Sequence, residues 1–234
     1  MKVEIWSDVI CPFCYIGKKH FEIAINELSF KDKIDVVWKS FQLDPNLPDK
    51  GLDISTIEYL EQRKGMQAEH VLNMLSHLKS KGNEVGIDFR QDISIQANTF
   101  KAHRLLHFAQ NKSKANDLEE LLFKAHFSDG KNIADNNTLL DLATSIGLNS
   151  SEVENFLQSS ELSDEVRADI QEAQDLGISG VPFFVINRKY GISGAQPIEI
   201  FINTLKEAFR EGNNNFEMKG NDSSGVCEDD SCEI

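Results

Sequence analysis

A chain of 234 residues, 40% hydrophobic and 26% charged, is long enough to bury a core without disulfides or a structural metal. Its formal charge of −14 excludes nucleic acid and anionic membrane as main partners, because phosphate binding needs clustered Lys and Arg to release counterions. Glu4 and Asp8 interrupt the opening segment where a secretory signal would be apolar, and no run reaches membrane-spanning length. A cytoplasmic protein, monomer or homodimer, is therefore expected.

The first element is a strand over KVEIWS, residues 2–7. It leads into CPFC and then a helix over 12–28, where Ile16, Phe21, Ala24, Ile25 and Leu28 recur at helical spacing. KIDVVWKSFQL, 33–43, concentrates β-branched and aromatic residues and reads as a second strand before the breaker DPNLPDKG. From about 55 to 176 the pattern is helical. Ser55 with Glu58 and Ser151 with Glu154 fit capping boxes, and Gly65, Gly82, Gly130, Gly147 and Gly177 fall where helices should stop. Val71, Leu72, Leu75 and Leu78, and Leu118, Leu121, Leu122 and Ala125, form apolar stripes that predict one buried face each. GVPFFVINRKYGISGAQP then reads as a hairpin, Pro197 opens a final amphipathic helix, and the segment after it has little to bury.

CPFC carries the chemistry. A thiol is a weak nucleophile until ionised, and Cys11 at the helix N-cap faces unpaired N–H groups and the positive dipole end, which favour thiolate. Pro12 suits the first helical position, where no N–H is needed. Cys14 lies one turn in, placed to attack a mixed disulfide on Cys11. Two other readings stand beside this one: packing cysteines, or a zinc site completed by Cys227 and Cys232. The His103 and His107 pair lacks the Glu of a zinc-protease helix and an obvious third ligand, so packing histidines are expected. Asp8 fits a proton relay or a turn cap, the turn being favoured, and Lys18 and Lys19 are expected to face solvent.

CPFC after a strand and GVPFFV before a hairpin match the two signatures of a thioredoxin fold, and the long helical insertion resembles the DsbA family. SDVICPFCYIG, FQLDP and GISGVPFFVINRKYGISGAQ are similar to its FrnE-like branch of cytosolic disulfide oxidoreductases, over essentially residues 1–210. The resemblance implies an α/β thioredoxin fold with a mixed central sheet, split into 1–48 and 177–211 by an all-helical insertion at 49–176, with a flexible acidic tail at 212–234. It implies that Pro182 is a cis-proline and that Val181 presents its N–H and C=O to an extended substrate. Phe13 and Tyr15 are expected at an apolar rim for substrate. Phe13 replaces the His that periplasmic oxidants of the family carry between the cysteines, which removes a cation that stabilises thiolate and predicts a less oxidising protein.

The implied activity is disulfide reduction or isomerisation on protein or small-molecule thiols and disulfides, with no organic cofactor beyond glutathione as a possible co-substrate. The same fold serves glutathione-dependent 2-hydroxychromene-2-carboxylate isomerases and kappa-class glutathione transferases, in which a Ser stands at the Cys11 position. That is the alternative activity, and a redox-sensing or zinc-binding adaptor is a further one. CEDDSC places Cys227 and Cys232 among carboxylates that raise their thiol pKa values. A flexible linker of about 15 residues spans about 20 Å, comparable with a radius of gyration of about 17 Å, so the pair is expected to exchange with CPFC as an auxiliary redox pair.

Overall fold

The computed structural model describes residues 1–214, with side chains through 212; Cys227, Cys232 and the rest of the acidic tail lie outside the described residues. The sheet has four strands in the order β2-β1-β3-β4. β1 (Lys2–Ser7) runs parallel to β2 (Asp35–Ser40) and antiparallel to β3 (Phe183–Ile186), which pairs antiparallel with β4 (Tyr190–Ser193). Because β1 is central and covered on both faces, every residue after Lys2 is buried, Glu4 included. Lys2 and Arg188 pair with the Glu4 carboxylate.

Alternation along β1 sorts its side chains into two layers. Val3 and Ile5 join Phe21 of α1 (Pro12–Asn26) and Phe201 and Leu205 of α9 (Ile198–Asn214) in one cluster. Trp6 packs with Ala173 and Ile178, and its indole N–H donates to the Asp169 carbonyl at 2.9 Å. The helical block between β2 and β3 comprises α2 (Thr56–Lys64), α3 (Ala68–Glu84), α4 (Phe100–Gln110), α5 (Ala115–Phe127), α6 (Asn136–Ser145), α7 (Ser150–Gln158) and α8 (Ser163–Asp175). Leu105, Leu118, Leu139, Val153 and Phe156 belong to its own core, while α4 and α8 also pack on β2.

The Ser55–Glu58 capping box forms as expected, and Gly65 ends α2 in the left-handed conformation. Four expectations need correction. Asn149, not Ser151, caps α7, accepting the Glu152 N–H at 3.0 Å. Leu72 leaves its stripe and is exposed, because the buried face of α3 turns through Val71 and Leu78. The last helix extends through Asn214, past the expected onset of the tail, and Lys189 holds Glu211 at 2.7 Å. Gly82 lies inside α3 rather than at its end: a Cβ there would stand 2.4 Å from the buried Phe89 ring. Gly82→Ala should therefore cost about 1–3 kcal/mol by overpacking, read as a lowered urea midpoint at unchanged slope.

Candidate functional site

β1 delivers the chain to a turn in which the Cys11 N–H donates to the Asp8 carbonyl at 2.9 Å, and Pro12 then starts α1. Cys11 is the N-cap residue and no side chain caps the helix; Pro12 has no N–H and the Cys14 N–H donates to the Cys11 carbonyl at 3.0 Å, so the Phe13 N–H and the dipole of the first turn are what face the sulfur's surroundings. The Cys11 side chain is only 5% exposed, and its thiol lies 3.5 Å from the Val181 carbonyl oxygen, across a Val181–Pro182 peptide bond that is cis. The Val181 carbonyl is thus engaged by the thiol rather than free, a contact that lasts only while the sulfur is protonated. Gly17 allows this approach: a Cβ there would meet the Pro182 ring at 2.9 Å.

Cys14, one turn further, is 1% exposed, and both cysteines are unbridged thiols. Burial pushes the Cys14 thiol well up, and the neighbouring Cys11 adds to this, against weaker pulls from Asp8 and Ser7. The arrangement distinguishes an outer sulfur from a shielded inner one. Phe13, 43% exposed, stands with Cys11 and Val181 in the wall of a cavity of about 340 Å³. Tyr15 does not reach the rim, contrary to expectation. Its ring is buried and stacked on Phe123 of α5 at 4.9 Å, and its hydroxyl donates to Glu120.

A family model for the DSBA-like thioredoxin domain matches residues 2–206. The chain belongs to the DsbA-like family. It is 38% identical to a probable DsbA oxidoreductase from Streptomyces coelicolor, with 90% of this chain and 91% of that one covered at a TM-score of 0.83. YwbO of Bacillus subtilis, an uncharacterized protein, is 27% identical over 88% of this chain and 96% of its own length. The cytosolic disulfide reductase DsbM of Pseudomonas aeruginosa shares the fold at 15% identity and a TM-score of 0.63, covering 90% of this chain and all of that one.

In this DsbA-like chain the insertion sets a buried polar cluster behind the cysteines. The Ser7 hydroxyl donates to Glu119 of α5 at 2.9 Å, and Asp8 accepts the Leu43 N–H at 2.7 Å while facing His103 at 3.4 Å. The Asp8 side chain thus ties down a distant loop rather than its own turn. Lys18, expected in solvent, is 2% exposed and bridges Glu22 of α1 and Glu120 of α5 at 2.5 and 2.7 Å. His107 bonds Asp169 at 2.9 Å, as a packing histidine would. Sequence reasoning missed Glu119 and His126; the only signal was a carboxylate and an imidazole inside the apolar stripe of α5.

Burial raises the Glu119 carboxyl from 4.5 to about 7 against the pulls of His103, Ser7 and Lys18, with Asp8 adding to the rise. Burial lowers the His126 imidazole from 6.5 to about 4 against Asp8. Between pH 4.5 and 7 the unfolded chain loses a proton that native Glu119 keeps, so this group's contribution to stability falls as pH rises. Between pH 6.5 and 4 the unfolded chain gains a proton that native His126 refuses, so the histidine's contribution falls as pH drops. The slopes, each up to about 1.4 kcal/mol per pH unit, oppose one another where the ranges overlap. Glu119→Gln should therefore lose stability toward acid more steeply than wild type, and His126→Leu should lose it toward neutral pH. Parallel urea-derived stability profiles for all three proteins would sink both assignments.

Proposed function

We propose that the chain is a thiol–disulfide oxidoreductase working through Cys11 and Cys14. The observation that supports this most directly is the Cys11 thiol at a helix mouth, 3.5 Å from the Val181 carbonyl, with Cys14 buried one turn behind. Cys11 thiolate attacks a substrate disulfide, forming a mixed disulfide and releasing one thiolate. Cys14 then gives its proton away and attacks Cys11, releasing the second thiolate and leaving a Cys11–Cys14 disulfide. Two electrons pass from the protein dithiol to the substrate, and a low-molecular-weight thiol such as glutathione resets the pair. Val181 and Pro182 orient the substrate, and Phe13 forms the rim.

An apolar Phe13 between the cysteines favours reduction or isomerisation over oxidation, in a cytoplasmic setting where thiols are kept reduced. Among the described residues no helix is long and apolar enough to cross a membrane. The Cys227 and Cys232 pair is proposed as an auxiliary dithiol, resting on its sequence alone. Non-reducing mass mapping of a Cys14→Ser protein after mild oxidation should show links from Cys11 to Cys227 or Cys232; their absence removes that role.

Thiol-driven reduction of insulin and of 2-hydroxyethyl disulfide should be lost in Cys11→Ser, and activity equal to wild type in that variant would overturn the assignment. Phe13→His should raise the reduction potential by about 30 mV or more, a tenfold shift in the exchange equilibrium, in a glutathione titration. An unchanged potential would show that Phe13 does not set the direction of exchange.

A further inference from the structure

The cavity beside Cys11 is built from both halves of the chain. Cys11, Phe13 and Val181 come from the thioredoxin-like part, while Tyr59 of α2 and Leu75 and Leu78 of α3 come from the insertion. At about 340 Å³ it falls within the range of small-ligand sites, about 300–1,000 Å³. Among the described residues its wall contains no carboxylate and one lysine, Lys64, which is exposed.

Two further wall residues are polar and incompletely satisfied. His126 is 1% exposed, and among the described residues its Nδ1 has no hydrogen-bond partner; Gln91 Nε2 is likewise buried and unpartnered. Each of these atoms is covered, so a ligand reaches one only when its side chain turns, and the bond then made recovers the cost of leaving the atom unpaired. The imidazole is neutral at pH 7, because burial holds it near 4. The cavity therefore suits an uncharged body with a polar group, and a charge seated beside Cys11, away from the exposed Lys64, would lose its hydration without an ion partner.

We propose that this cavity is the substrate pocket and that it selects small, uncharged, mainly apolar disulfides, whose apolar arm lies between Phe13 and α3 and whose hydrogen-bonding group meets Gln91 or His126. This deepens the exchange reading and rests on it. The sulfur next to the arm is brought to Cys11, which at 5% exposure is reached through the cavity rather than from open solvent. For such a substrate, R–S–S–R′ and the two protein thiols become R–SH, R′–SH and a Cys11–Cys14 disulfide, and a low-molecular-weight thiol donor restores the dithiol.

Methanethiosulfonate reagents test the selection without knowledge of the natural substrate. Cys11 thiolate displaces methanesulfinate from CH₃SO₂–S–R and forms Cys11–S–S–R, and Cys14→Ser stops the reaction there. Rates are divided by those of the same reagents with free glutathione, which removes intrinsic reactivity. The benzyl reagent should then exceed the anionic sulfonatoethyl and cationic trimethylammonium-ethyl reagents by about tenfold or more, as expected for apolar burial set against charge desolvation. Leu75→Trp, which fills the pocket, should collapse the benzyl-to-methyl ratio. A 4-acetylbenzyl reagent should outpace its 4-isopropyl counterpart in the Gln91-bearing protein and lose that lead in Gln91→Leu. Equal normalised rates for all reagents, or faster normalised reaction with an extended cystine-containing peptide, would overturn the pocket proposal. Dithiol exchange would still be judged separately by the Cys11→Ser assays, so the two failures are distinguishable.

Discussion

The closeness of α1 to the Val181–Pro182 segment is the constraint on which the site depends. It exists because Gly17 has no side chain: the place of its Cβ is bounded by the Pro182 ring at 2.9 Å, Phe184 at 3.5 Å and the Ala195 backbone at 3.6 Å. That contact brings the mouth of the helix to the start of β3, and the Cys11 thiol to the Val181 carbonyl. β1 fixes the other coordinate. Held between β2 and β3, and buried on both faces, it can deliver Cys11 only at the end of the sheet where α1 begins.

The insertion is chemically continuous with this arrangement. α5 supplies Glu119 to Ser7, Glu120 to Tyr15 and Lys18, and His126 to the cavity wall. α4 supplies His103 to Asp8 and α8 accepts the Trp6 indole. The polar groups beneath the cysteines are therefore paired mostly with residues about a hundred positions away. Their ionisation is set by exclusion of water more than by partner charge, since burial is the leading cause of shift for Cys14, Glu119 and His126 alike.

What was legible in the sequence was local. CPFC, Pro12 and the preceding apolar strand describe a helix mouth in a dozen residues, and the hairpin signals around GVPFFV mark its partner. The cavity was not legible, because periodicity identifies an apolar stripe without saying whether it meets core, cavity or water. Leu72, Leu75 and Leu78 share one pattern, and they end up exposed, in a pocket wall, and buried in that wall. Tyr15 and Lys18 depart from their expected places for a related reason. An aromatic beside a cysteine and a lysine on a helix have default settings, and both were overridden by Glu120, whose proximity only the tertiary fold supplies.

The Lys18 bridge has a mechanical side. An ammonium at 2% exposure, shared by carboxylates of α1 and α5, acts as a rivet between the thioredoxin-like half and the insertion, since separating them would break its bond to Glu120 and leave Glu22 as its partner. The wall of the cavity carried by α5 is thereby fixed with respect to Cys11. The rest of the wall that the insertion supplies comes largely from α2 and α3, and the room they leave beside Cys11, rather than the chemistry of the sulfurs, bounds the cargo the site can accept.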